Sequence, residues 1–278
     1  MGLIDIGRDG LRLMRRHGRW RLRPPPVPVR EVEEPPARWF EGICHVCGVR
    51  GRFTRDRMAI GASYPCTSCG SSLRYQGQAR VLVRHLSRHA AASFVELCDE
   101  PEFQQLRIWE PGELGPFRAH LRRLPWYQTS SYWPDVTPGD QRDGVRCENL
   151  MALTYPSASF DLVITSDVFE HVRRPYIGFA EVHRVLRPGG AHVFTVPVRW
   201  PMRKETIVRV DTSGDEDLFL TEPTYHRHHL VYNDFGEDML DHLATIGFDT
   251  EVVRFDSQDK GASKLLTFCS VRREAASQ

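Results

Sequence analysis

Four of the seven cysteines stand in two Cys-x-x-Cys-Gly steps, Cys44 to Gly48 and Cys66 to Gly70, with eighteen residues between Cys47 and Cys66. A two-residue gap lets both thiolates of a step face one ion. Four soft sulfur ligands suit tetrahedral zinc and leave no position for a substrate, so Cys44, Cys47, Cys66 and Cys69 are expected to form a structural zinc ribbon. The alternative is two reduced pairs or a redox disulfide. Such a disulfide would normally lie at a strand-to-helix turn, not between short segments bearing Phe53 and Tyr64. Cys98, Cys147 and Cys269 lie in apolar settings and read as core residues.

Histidine supplies the second chemistry. Tyr225-His226-Arg227-His228-His229 and Glu170-His171 place imidazoles, which exchange protons near neutral pH, beside other polar groups. Tyr225 and His226 are candidates for substrate contact or for a general base, against a plain solvated loop. His171 is a candidate base or a structural residue. The three histidines of 226–229 suggest a metal, but no acid nearby in sequence completes a ligand set. Arg199, Trp200 and Arg203 could line the same cleft and favour an anionic substrate. Residues 211–217 read as a lid or an exposed loop.

The element that must hold these groups runs from Phe160 to Pro197. An apolar strand pattern, Phe160 to Thr165, ends at Ser166-Asp167. A helical pattern then carries Phe179, Val182, Val185 and Leu186 on one face, Pro188-Gly189-Gly190 ends it, and a second strand follows from Ala191 to Val196. This is a β-α-β unit, and its helix lets the two strands lie parallel with both faces covered. Ser166 and Asp167 fall at the carboxyl edge of the sheet, where ligands of open α/β sheets bind. Asp167 could alternatively cap the next helical turn.

Phe160-Asp161-Leu162-Val163, Ser166-Asp167, Glu170-His171-Val172 and Arg184-Val185-Leu186-Arg187-Pro188-Gly189-Gly190 together resemble the fourth and fifth motifs of class I S-adenosylmethionine-dependent methyltransferases, and the similarity extends more weakly over residues 104–272. The resemblance implies a Rossmann-like, seven-stranded, mostly parallel α/β sheet, preceded here by the small zinc ribbon. It also implies S-adenosylmethionine as cofactor. The first motif of that family is Glu/Asp-x-Gly-x-Gly-x-Gly. This chain has Glu110 and Gly112 of it, puts Leu114 and Pro116 on the other two glycine positions, and displaces Gly115 by one. Where the family ends its second strand on a ribose-binding acid, Ser131-Tyr132 stands, with Asp135 as a nearby substitute. Glu148-Asn149-Leu150 resembles the segment that lies against adenine. The implied cofactor residues are thus Glu110, Gly112, Gly115, Ser131, Asn149, Leu150, Ser166 and Asp167, the last for the α-amino group.

Around this core, residues 1–38 read as a basic arm and proline-rich linker, 39–75 as the ribbon, 76–103 as a connecting helical region, 104–272 as the methyltransferase domain and 273–278 as a tail. The arm carries seven arginines before Pro24; a helix there would suit weak contact with a membrane surface or an anionic partner, while Gly2, Gly7, Gly10 and Gly18 favour a solvated tail. A net charge of +1 gives no overall argument for nucleic acid. Arg50, Arg52, Arg55 and Arg57 keep an RNA methyltransferase open as an alternative, and loss of the first motif keeps open a non-catalytic binding protein. The absence of an Asn/Asp-Pro-Pro-Tyr motif after Thr165 argues against methylation of base amines. A small-molecule or glycan-like acceptor is expected. An odd cysteine count and the lack of a signal-peptide pattern point to a reducing, cytoplasmic setting; oligomeric state is open.

Overall fold

The computed structural model describes residues 13–16, 19–22, 39–112 and 115–274. Residues 1–36 form one unit and 37–278 another. Of the first, the described part is an antiparallel pairing of Leu13–Arg16 with Arg19–Leu22, extended chain in place of a helix. The rest of the arm and linker, Glu113, Leu114 and residues 275–278 lie outside the described residues.

The second unit is built on one mixed sheet. Its strands are β1 (Ile108–Pro111), β2 (Tyr127–Ser131), β3 (Gln141–Arg142), β4 (Val145–Cys147), β5 (Phe160–Ser166), β6 (Leu186–Thr195), β7 (Phe248–Arg254) and β8 (Leu266–Arg272). They lie in the order β7-β8-β6-β5-β1-β2-β4-β3. Strands β6, β5, β1, β2 and β4 run parallel, and β8 is antiparallel to both β6 and β7. The strands number eight, not seven, because Gly144 at φ +76° lets the chain turn back and pair β3 with β4 as a short antiparallel hairpin. This mostly α/β arrangement is consistent with the class I methyltransferase fold.

The buried residues of β5 divide between two layers. Leu162 and Ile164 enter a core shared with helix α1 (Leu73–Leu86), whereas Phe160 and Val163 enter the opposite core with α2 (Pro175–Val185) and α3 (Asp238–Ile246). Burial on both faces is what a near-continuous apolar strand requires. The cysteine segment belongs to the first core: Cys44, Val46, Phe53, Tyr64 and Cys66 pack in one cluster with Leu73, Ala79 and Leu82 of α1. Helix α3 ends at Gly247, whose φ of +114° is the left-handed C-terminal stop.

Helix α2 ends at Val185, and the Pro-Gly-Gly turn lies within β6, where pairing with β5 breaks between Leu186 and Ala191. Gly189 turns at φ +77°, and a Cβ on Gly190 would stand 2.9 Å from the Arg187 carbonyl and 3.0 Å from that of Asp161. Asp161 itself accepts from the Arg107 amide and from Arg187 Nη1 at 2.8 and 2.9 Å. The motif therefore closes the amino end of the central strands. Among the described residues, no helix is long and apolar enough to cross a membrane. Gly190→Ala is expected to cost about 1–3 kcal/mol through backbone crowding, measured as a lower urea midpoint; an unchanged midpoint would contradict this close passage.

Candidate active site at the carboxyl edge of the sheet

Strand β1 lies between β2 and β5, so the chain leaves it in one direction and later returns on its other side, which opens a crevice at the carboxyl edge. Gly112 follows β1 at φ +105°. Its amide donates to the Ser130 carbonyl at 2.7 Å, and a Cβ on it would meet no described residue within 4 Å. Glu110 points under this turn, buried, and accepts from the Tyr127 hydroxyl at 2.8 Å. Burial pushes its carboxyl up to about 7, against the pull of the Tyr127 hydrogen bond and the Arg118 charge. Gly115 passes over it, with Glu110 Oε1 3.5 Å and the Tyr75 ring 3.6 Å from where a Cβ would stand.

Ser131 closes β2, and its carbonyl accepts from the Glu148 amide at 2.8 Å. Asn149 spends its side-chain oxygen on the Met151 amide at 2.9 Å, holding the turn that carries Leu150. Asp135 is exposed and tied to Arg142 at 2.6 Å, away from the part of a free ribose acceptor. Buried Glu148 is bound by Arg146 and Thr154.

Helix α1 completes this edge. Gln78 is fully buried, donates to the Thr165 carbonyl at 2.9 Å, and accepts from Ser166 Oγ at 2.6 Å. One turn earlier on the same face, Arg74 Nη2 meets Asp167 Oδ2 at 2.8 Å. The other Asp167 oxygen accepts from Thr195 at 2.7 Å, and no side chain caps the following turn. Asp167 is thus a bound carboxylate, neither a cap nor a free acceptor. Arg74 Nε is buried with no hydrogen-bond partner among the described residues.

Beside Asp167, the single turn Phe169–His171 carries Glu170, whose side chain is 0% exposed. The insert after β6 forms a hairpin, Tyr225–His226 against His229–Leu230, around a two-residue turn in which Arg227 takes φ +58°. Two bonds dock it on the turn: His171 Nδ1 donates to the Leu230 carbonyl at 2.8 Å, and the Tyr232 amide donates to the Glu170 carbonyl at 2.8 Å. His171 Nε2 and His226 Nδ1 each lie 3.5 Å from Glu170 Oε1. Burial raises the Glu170 carboxyl to about 7 and lowers His171, while the adjacent Glu170 carboxylate raises His226.

The structure therefore brings His171 and His226 together and leaves Tyr225 exposed, with no side-chain hydrogen bond among the described residues. Trp200 lines a separate shallow hollow with Met202, Lys204, Asp238 and Val252. Residues 212–217 are strapped down: Arg173 binds Asp217 at 2.6 Å and the Gly214 carbonyl at 2.8 Å, and Arg174 binds the Thr212 carbonyl.

In the cysteine segment, a hairpin of Trp39–Ile43 and Arg50–Thr54 carries the first step in the connection between its strands. Gly48 and Gly70 take φ +77° and +71°, and each amide donates to the carbonyl of the step's first cysteine at 2.8 Å. The four sulfurs lie within 4.8 Å of one another, Cys44 to Cys69 at 3.8 Å and Cys47 to Cys66 at 3.7 Å. Zinc–sulfur bonds of about 2.3 Å give tetrahedral edges of about 3.8 Å, so this donor set fits such an ion. Of the four arginines, Arg52 pairs with Glu41 and lies over Trp39, and Arg55 binds the carbonyls of Arg57 and Met58.

Residues 135–194 match the methyltransferase domain family. No curated protein matches the sequence significantly. Among solved structures, an S-adenosylmethionine-dependent methyltransferase from Mesorhizobium loti is 21% identical over 63% of this chain and 94% of its own, with a TM-score of 0.42. One from Methanosarcina mazei is 15% identical over 61% and 93%, at 0.37. The Burkholderia thailandensis 1,6-didemethyltoxoflavin-N1-methyltransferase is 17% identical over 60% and 71%, at 0.34. Scores of this size assign this chain no activity.

Arg74, Gln78 and Glu170 are the residues that sequence reasoning passed over. The first two stand four apart on a helix that reads as a connector, and Glu170 was visible only as half of a motif. A carboxyl whose folded-state pKa is raised, as at Glu110, holds its proton to higher pH than in the unfolded chain. Its stabilising contribution is complete below 4.5 and is lost as pH rises through about 7. Glu110→Gln, which can still accept from Tyr127, should flatten this fall, which amounts to at most about 3 kcal/mol. Denaturant midpoints of both proteins from pH 4.5 to 8 measure it, and parallel curves would contradict the assignment.

Proposed function

We propose that this protein is an S-adenosylmethionine-dependent methyltransferase acting on a small-molecule or glycan-like acceptor, with a structural zinc ion held by Cys44, Cys47, Cys66 and Cys69. The observation that carries the reading is a pair of groups near the carboxyl ends of β1 and β5: Gly112, where a Cβ would meet no described residue within 4 Å, and Arg74, which pairs with Asp167 and whose buried Nε has no hydrogen-bond partner among the described residues. An anionic ligand end beside an exposed main chain is what such a pair receives. The family match over residues 135–194 and the strand order support it.

In this reading Arg74 binds the cofactor's carboxylate, the main chain at Gly112 borders its amino-acid end, and Glu110 supports the turn from below. Ser131, Asn149 and Leu150 lie where a nucleoside would be held. Bound there, the cofactor supplies a methyl group already activated on sulfonium sulfur, so the protein's task is chiefly to align the acceptor. The acceptor's side is the cluster of Glu170, His171 and His226, whose histidines are the groups able to receive a proton. Ser166 and Asp167 serve indirectly, by fixing Gln78 and Arg74.

Calorimetric titration of the full chain with S-adenosylmethionine and with its demethylated product should give saturable one-to-one binding. Arg74→Met should weaken both by about 10–100-fold, the equivalent of one charge-assisted hydrogen bond. Absence of binding at millimolar ligand would contradict the reading.

A further inference from the structure

The cluster beside the crevice leaves a specific electrostatic problem. Glu170 is fully buried, and neither of its carboxylate oxygens has a hydrogen-bond partner among the described residues. When ionised, such a group carries a penalty of several kcal/mol unless a cation compensates it. His171 cannot be the donor: its Nδ1 bonds a carbonyl oxygen, which only accepts, so in the neutral ring the proton is on Nδ1 and Nε2 turns a lone pair toward Glu170. Whenever Glu170 is ionised, two acceptors face each other at 3.5 Å.

Each distance is also wrong for an ion pair. A charge-assisted N–H···O bond closes to about 2.7–2.9 Å, whereas Glu170 Oε1 stays 3.5 Å from both His171 Nε2 and His226 Nδ1. Metal bonds of about 2.0–2.2 Å place neighbouring ligands of a tetrahedral or octahedral ion about 3–3.6 Å apart. One oxygen and two nitrogens here all lie within 4.8 Å of one another. The hydrogen bond from His171 Nδ1 to the Leu230 carbonyl is, besides, the outer-shell contact by which proteins orient a ligating imidazole.

We infer that Glu170, His171 and His226 form a site for a divalent first-row transition ion, separate from the four-cysteine centre. Two imidazoles and one carboxylate are a ligand set that such ions accept, and it leaves coordination positions open. The hairpin assembles it, since docking through Leu230 and Tyr232 swings His226 over the acid that the sequence places 56 residues earlier. The His226 side chain is 46% exposed, so the cluster reaches the surface through this residue. Asp167 acts electrostatically on all three groups and adds negative charge, while Arg74 beside it holds that charge in check. An ion here would act on an acceptor's oxygen by coordination, in place of proton removal by His226; that consequence rests on the methyl-transfer reading, and the binding does not.

The test uses the full chain with its ribbon loaded with zinc, titrated with Co²⁺ without cofactor. One further equivalent should bind, with weak visible absorption of nitrogen–oxygen ligation and no thiolate charge-transfer band. Glu170→Gln and His226→Ala should each weaken it by more than about 100-fold, beyond the loss typical of an outer-shell contact, while His228→Ala leaves it unchanged. Broadening of the His171 and His226 ring resonances in the unaltered protein checks the assignment without any variant. No further equivalent in the unaltered protein, or one that survives Glu170→Gln, His171→Ala and His226→Ala, overturns the site. Because cofactor titration is a separate measurement, failure here and failure of methyl transfer remain distinct.

Discussion

The buried amide of Gln78 ties together everything that faces the crevice. It reaches from α1 to the Thr165 carbonyl and accepts from Ser166, bridging a helix that starts at the cysteine segment to the carboxyl end of the central strand. A fully buried amide that lost these partners would cost about 1–3 kcal/mol per unsatisfied group, so the helix has one favourable register. That register sets Arg74 against Asp167. The first turn of the helix is fixed too: the Leu73 amide donates to the Ser63 carbonyl, Gln76 to those of Tyr64 and Ser71, and the Ser71 hydroxyl lies 3.0 Å from Cys69 Sγ. The cysteine segment and the candidate cofactor edge are therefore mechanically one assembly. In this sense a structural ion at Cys44, Cys47, Cys66 and Cys69 would serve the crevice at a distance, through the position of α1.

Charge in the crevice follows from the same geometry. Arg74 and Asp167 are each largely shielded from water, so each holds the other in place and neither is a free surface charge. Burial pushes the Glu110 carboxyl up to about 7, against the pull of the hydrogen bond that the Tyr127 hydroxyl donates to it. Glu170 has no such donor. The three acids near this edge differ in what stands within hydrogen-bond reach: Glu110 has Tyr127, Asp167 has Arg74 and Thr195, and Glu170 has no hydrogen-bond partner among the described residues.

Much of this was legible in the residues. Periodicity marks β5, α2 and β6 because a strand covered on both faces must be apolar throughout, and the Cys-x-x-Cys-Gly steps announce their geometry because only glycine takes the left-handed turn cheaply. The eighth strand escaped notice because Gln141-Arg142 carries no apolar alternation and pairs through a glycine turn alone. Arg74 and Gln78 escaped because their partners lie about ninety residues away in sequence, and helical spacing says which face they share but not what that face meets. The hairpin of residues 225–230 was seen as a cluster of polar residues. Alternation along its first strand puts His226 on the docked side and Tyr225 on the other, which required knowing that it was a strand at all.

The central claim is that α1 and the turn after β1 together enclose one end of a sulfonium nucleoside. A crystal structure of the full chain grown with S-adenosylhomocysteine tests it most directly. The account predicts the ligand's carboxylate on Arg74, its amino-acid end along the main chain at Gly112 and its adenosine near Asn149 and Leu150. An empty crevice at saturating ligand, with Arg74 still bound only to Asp167, would contradict it.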